Sequence, residues 1–230
     1  MERASNEKPE PQKTEDIAKW AASRRFEDIP ADGLPYLKTL VLDTLGCAIA
    51  ALDGEPIVPI RELTEELGGR PQCTPIGGRR TAADRATFWN SSLVRYLDFM
   101  DITMVRGQSF HPADNFSAAL AATELGGGSG RDFLTALAVG YQVQTRLSEQ
   151  APLQEKGFDH STHLAFSVPA AITRALGLDT RRGANAIAMC GSTINTLWVI
   201  RSGLLSNWKG LASAQVAMAC MHMTLLAARG

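Results

Sequence analysis

Apolar positions recur at three- and four-residue intervals through most of this chain, the period of helices with one face turned inward. The first run, 17–25, follows Thr14, a residue type that caps helix starts. Residues 36–52, YLKTLVLDTLGCAIAAL, follow Pro35 and are apolar on every side, which predicts a long helix buried all round. IRELTEEL, 60–67, stops at Gly68-Gly69, a pair suited to closing a helix. QCTPIGG, 72–78, is the one strand-like piece and reads as an extended connector. Thr81, with Asp84 three residues on, predicts the next start, and that helix runs through ATFWNSSLVRYL, 86–97. A polar loop follows, then helices over 116–125, 131–150, 163–178, 183–191 and 208–230. The fold class is therefore all-α, a helical bundle over 14–230, behind a charged, proline-bearing tail over 1–13 that reads as disordered. The glycine loop at 125–130 joins two helices and lacks the Lys-Ser/Thr of a phosphate loop, so it is a linker.

Composition narrows the field. The 230 residues are 45% hydrophobic and 20% charged, with a formal net charge of −1. That balance suits a globular protein and argues against nucleic acid as a partner, which would need a basic stripe. Cys47, Cys73, Cys190 and Cys220 have no metal-type spacing and sit mostly in apolar runs, as buried free thiols of a reducing compartment would. No uninterrupted apolar run reaches membrane-spanning length. The expectation is a soluble, cytoplasmic protein. The last helix is still running at Gly230, as though the chain stopped early.

The chemistry is suggested by charges at the wrong ends of helices, since acids favour helix starts and bases favour helix ends. Asp98 and Asp101, in LVRYLDFMD, stand where a helix finishes, so exposed carbonyls and a like neighbour should raise both pKa values toward the range useful for proton transfer. His111 stands where Pro112 opens the next helix, which favours neutral imidazole, a competent base; Asp114 is expected merely to cap. In GFDHSTHLAFS, His160 again precedes a helix. His160 and His163, with His111, are also spaced for a metal, with Asp159 the one acidic ligand nearby. Ser206 should cap the helix over 208–230, which places Lys209 in its first turn. A cation there is tolerable if an anion shares it with the free N–H groups. Arg201 adds a candidate bidentate carboxylate clamp. If these groups converge, they suit proton abstraction beside a carboxylate, followed by loss of a β-substituent.

RYLDFMD, HPADN, GFDHSTH and SNWKGLASAQVA, in that order, resemble the MmgE/PrpD superfamily, which includes 2-methylcitrate dehydratase, cis-aconitate decarboxylase and iminodisuccinate epimerase. The resemblance covers about 14–230 and is nearer to the methylcitrate dehydratase branch. It implies an all-α main domain, a homodimer, a smaller α+β lid over the active site, and catalysis on small polycarboxylates without metal or organic cofactor. It places the family's active-site aspartate on Asp98, its histidines on His111 and His160, and its lysine on Lys209. A threonine that follows the aspartate motif is displaced, with Ile102 in its place and Thr103 next. Thr103, Arg201 and Asn207 complete the candidate substrate-binding set. The expected activity is cofactor-independent elimination of water from a tricarboxylate. The alternatives are a lidless subunit completed by a separate lid polypeptide, and decarboxylation or epimerisation of a related polycarboxylate.

Overall fold

The computed structural model describes residues 13–230. The tail over 1–13 thus falls outside the described residues, apart from Lys13, which already belongs to the first helix. Among the described residues the chain forms α1 (Lys13–Ser23), α2 (Gly33–Ala50), α3 (Ile57–Leu67), α4 (Ala83–Tyr96), α5 (Phe116–Leu125), α6 (Gly130–Gln150), α7 (Leu164–Leu176), α8 (Thr180–Thr193) and α9 (Trp208–Ala227). Short 3₁₀ turns at Pro112–Asn115 and His160–His163 lead into α5 and α7. The fold is all-α, as the apolar period required.

Helix α5 is central, with Phe116, Ala118, Ala119, Ala121 and Ala122 all buried. It is surrounded by α4, α6 and α7, and α9 packs along α4. Alanine and serine at these contacts (Ala165, Ser167, Ala170 and Ala171 on α7; Ala212, Ser213, Ala214 and Ala217 on α9) let the axes approach closely. Trp89, Leu93, Leu137, Leu164 and Ile172 fill the remaining volume. The four cysteines are free and buried. Burial pushes the Cys73 thiol up to about 11, which leaves it inert.

Several local expectations are corrected. Helix α2 buries only one stripe, Leu37, Thr44, Cys47 and Ala48, while Tyr36, Leu42 and Ile49 face outward. An apolar composition cannot say whether a neighbour exists on each side, and here α4 supplies one side. Thr81 does not start α4: it pairs with Cys73 in an isolated bridge, its hydroxyl donates to the Gly68 carbonyl, and the helix begins after Ala82. Among the described residues the first helix spans Lys13–Ser23, so Thr14 lies inside it. Helix α9 is long and apolar enough to cross a membrane by length and composition, though Lys209, Gln215 and His222 interrupt its apolar run, and half of it is buried against its neighbours. The polar loop after Asp101 contains a hairpin, β1 (Thr103–Val105) antiparallel to β2 (Gln108–Phe110). Its turn uses Gly107 at φ +88°, a left-handed value that costs glycine little. The loop at 125–130 is a connector, and Ser129 with Asp132 forms a capping box at the start of α6.

Candidate active site

Helix α4 releases the chain abruptly. Leu97 is still helical, and Asp98 then takes φ +59°, the one positive value at a non-glycine among the described residues. That turn carries Asp98 to the mouth of a cavity of about 510 Å³, which Arg95, His111, His160, Arg201 and Lys209 also line. Elements far apart in sequence thus converge here: the end of α4, both 3₁₀ turns and the first turn of α9.

The 112–115 turn is clamped from below. Asn115, fully buried, donates to Gln144 Oε1 at 2.7 Å and to the Pro112 carbonyl at 3.0 Å, and it accepts from Ser167 at 2.7 Å. Gly140 on α6 makes room for it, because any Cβ there would stand 2.9 Å from the Asn115 side chain. Asp101 fastens the other edge, accepting from the Ala113 N–H at 3.0 Å and from the Tyr141 hydroxyl at 2.8 Å.

His111 is held by this frame. Its Nδ1 lies 2.7 Å from the Asp101 carbonyl oxygen, which can only accept, so Nδ1 carries the proton and Nε2 keeps its lone pair. Burial, then the Arg95 charge, depress its pKa below the ordinary 6.5. The preference for neutral imidazole expected from sequence is present, though burial rather than a helix end is the first cause.

The carboxylates behave differently from expectation. Asp98 bonds Lys209 Nζ at 3.1 Å and Arg95 Nη1 at 3.1 Å. Burial acts to raise its pKa, but these two cations outweigh it and the net direction is down. Asp98 is therefore held ionised, and the raised pKa expected for it is overturned. Asp101 does shift upward, first through burial. Asp114 is not a cap: it makes no capping bond, and its buried carboxylate lies 3.8 Å from Arg95 Nε and 3.8 Å from His160 Nε2. Despite complete burial, Arg95 and the imidazoles bring it down to about 2.

His160 sits between two acids, with Asp159 Oδ2 3.5 Å from Nδ1 on its other side. Its ring lies 5.5 Å from that of His111, centroid to centroid. Asp159 caps the 160–163 turn by accepting from the Ser161 N–H at 3.0 Å. It also holds the Arg201 guanidinium in a two-point contact, one arm at 3.2 Å. Burial resists this, yet Arg201 keeps Asp159 well below the usual carboxylate range. The clamp expected of Arg201 exists, but its carboxylate is the protein's own.

Two further expectations fail on placement. Thr103 starts β1 opposite Phe110 and lies outside the lining, where Ile102 stands instead. His163 is turned away, its Nδ1 3.1 Å from Ser148 Oγ and 3.4 Å from Gln108 Nε2, so it does not join His111 and His160. Among the described residues no three His, Cys, Asp or Glu side chains are grouped as a metal ion would need. Asn207, at the N-terminus of α9, lines a smaller adjoining hollow of about 160 Å³ with Asp98 and Lys209. Ser206 accepts from the Trp208 N–H at 3.3 Å, close to the capping role expected of it. Arg95, Asp114 and Tyr141 were missed by sequence reasoning. A base at a helix end and an acid at a helix start look ordinary until the fold sets them face to face.

The model of the MmgE/PrpD N-terminal domain matches residues 15–230. The chain belongs to the MmgE/PrpD family. Among curated relatives, it is 26% identical to a probable 2-methylcitrate dehydratase of Saccharomyces cerevisiae, over 80% of this chain and 38% of that protein. It is 24% identical to the 2-methylcitrate dehydratase of Escherichia coli K12, over 83% of this chain and 42% of that protein. It is 29% identical to the cis-aconitate decarboxylase-like protein oryM of Aspergillus oryzae, over 74% and 38%. The chain spans about two fifths of the length of these relatives. Within this family member, Asp98, His111, His160 and Lys209 all border one cavity, as their motifs led us to expect.

Proposed function

We propose that this MmgE/PrpD chain carries the proton-abstracting side of a hydro-lyase site for a small tricarboxylate of the 2-methylcitrate kind. The observation that carries the reading is His111, neutral and fixed in one tautomer at the wall of a cavity that also holds Lys209. His111 Nε2 takes the proton beside a substrate carboxylate. Lys209 binds that carboxylate and steadies the charge that builds on it as the C–H bond breaks. Asp98 places Lys209 until substrate arrives. Their pair is exposed on both sides, so it contributes about 1 kcal/mol or less and a substrate carboxylate can replace Asp98. His160, with carboxylates facing both of its ring nitrogens, serves as a polar wall that orients the departing hydroxyl.

The test is binding and turnover by the purified chain. Lys209→Ala is expected to weaken 2-methylcitrate or citrate binding about tenfold, measured by calorimetry, with melting temperature unchanged. Equal affinity in the two proteins would remove Lys209 from the site. Names among the relatives support decarboxylation as a second reading, and product analysis with cis-aconitate separates the two. Because the relatives are more than twice as long, a subunit completed by a separate lid polypeptide is the third: it is favoured if the chain binds tricarboxylate without turnover. A cytoplasmic homodimer completes the proposal. The free buried thiols suit a reducing compartment, and a sedimentation mass equal to the 24.8 kDa chain would overturn the dimer.

A further inference from the structure

We propose that Asp114 is a positioning residue of this site, holding Arg95 and His160 at their stations on the cavity wall without touching substrate itself. Its catalytic consequence rests on the elimination reading; its structural core does not.

Asp114 lies beneath the floor, with its side chain only 2% exposed, whereas both of its partners reach the lining. Each oxygen has one partner: Oδ1 faces Arg95 Nε and Oδ2 faces His160 Nε2, both at 3.8 Å. At that spacing Asp114 Oδ2, Arg95 Nε and His160 Nε2 are all buried without a hydrogen-bond partner. Buried polar atoms are seldom left so, and these three, joined through the two oxygens of one carboxylate, form one unfinished network. The backbone under Asp114 is held in place, because Asn115 is bonded to Gln144, Ser167 and the Pro112 carbonyl and the Ala113 N–H is bonded to Asp101. The movable members are therefore Arg95 and His160. Small rotations of either bring it within hydrogen-bond reach, and such bonds tighten when an active site fills.

This arrangement divides the labour of the acids. Asp98 holds Lys209 and the Nη1 arm of Arg95, Asp159 holds Arg201 and faces His160 Nδ1, and Asp114 faces Arg95 Nε and His160 Nε2 from beneath. It also reaches His111 through space. The charged and titratable groups acting on that ring are Arg95 and Asp98 at the end of α4, Asp114 of the 112–115 turn and His160 of the 160–163 turn; of these, Asp114 and Asp98 favour imidazolium, and Asp114 is the buried one.

The experiment uses Asp114→Asn in the full chain, with the histidine ring nitrogens followed by NMR without substrate. The variant keeps shape and loses charge. Its His160 ring signals are expected to move, and the His111 titration midpoint to fall by about 1 unit. With 2-methylcitrate, kcat should fall about 10²-fold at nearly constant KM, as for a misplaced but still occupied site. Ring signals and kcat both matching the parent protein in a folded variant would overturn the proposal. Should that variant not fold, Asp114→Asn with Arg95→Met removes the buried pair together, a change proteins often tolerate. Unmoved His160 signals there would be equally fatal. Absence of turnover in the parent chain counts against the elimination reading alone, since the ring signals still decide the place of Asp114.

Discussion

His111→Gln is expected to cut elimination of water from a bound tricarboxylate by 10²- to 10⁴-fold, roughly the contribution of a positioned general base. Glutamine retains an N–H that can meet the Asp101 carbonyl, so the 112–115 turn should survive. What disappears is the lone pair on Nε2, which exists because Nδ1 is committed to that carbonyl at 2.7 Å. The pH profile of the parent protein should carry the same signature. Burial and Arg95 hold the imidazole below its ordinary 6.5, so the acid-side midpoint of kcat/KM should lie below pH 6.5. Calorimetry with citrate should return a similar Kd for both proteins. A variant that keeps its full rate would move the base to another residue.

A second large effect concerns stability. His163 is 3% exposed, and burial brings its pKa to about 4 from 6.5. The unfolded chain therefore binds a proton between pH 6.5 and 4 that the folded chain refuses, so stability falls as pH drops through that window. The difference of 2.5 pH units, at about 1.4 kcal/mol each, amounts to roughly 3 kcal/mol at pH 4. For a chain this long that is a fall of about 6–12 °C in Tm. His111 shifts in the same direction and adds to the slope. Below pH 4 the loss continues through Asp114 and Asp159, both depressed carboxylates that must take up protons. His163→Gln should flatten the decline between pH 6.5 and 4 while leaving the steeper acid limb. Thermal scans across pH 7 to 3 check it, and parallel curves for the two proteins would show that another group carries the dependence.

Much of this was readable from residue order because helix period is a local signal. Helices α4 to α9 follow from apolar spacing, and Gly68 marks an end where the backbone needs one. The hairpin at 103–110 was missed because three-residue strands give too short an alternation, although Gly107 between Val105 and Gln108 was an available sign of a tight turn. The outward face of α2 was unreadable for a different reason, since Leu42 and Ile49 carry no record of what lies opposite them. In the site, the motifs brought Asp98, His111, His160 and Lys209 to one cavity, yet the ionisation of Asp98 came out reversed. Half of that error was avoidable, because Arg95 stands one helical turn before it. The other half was not, because Lys209 is 111 residues away. Arg201 and Asp114 failed similarly: each was assigned a solitary task, and the fold had already given each a companion of opposite sign.

The matching of those charges sets how a polyanion enters. Arg95, Arg201 and Lys209 meet Asp98, Asp114 and Asp159 within the cavity wall, so the groups sum to zero. A neutral mouth casts little field into solvent and does not draw a distant ligand inward. Capture then depends on collision and on trading partners: a carboxylate that lodges on Lys209 turns out Asp98, while Asp114 and Asp159, both buried, keep their cations.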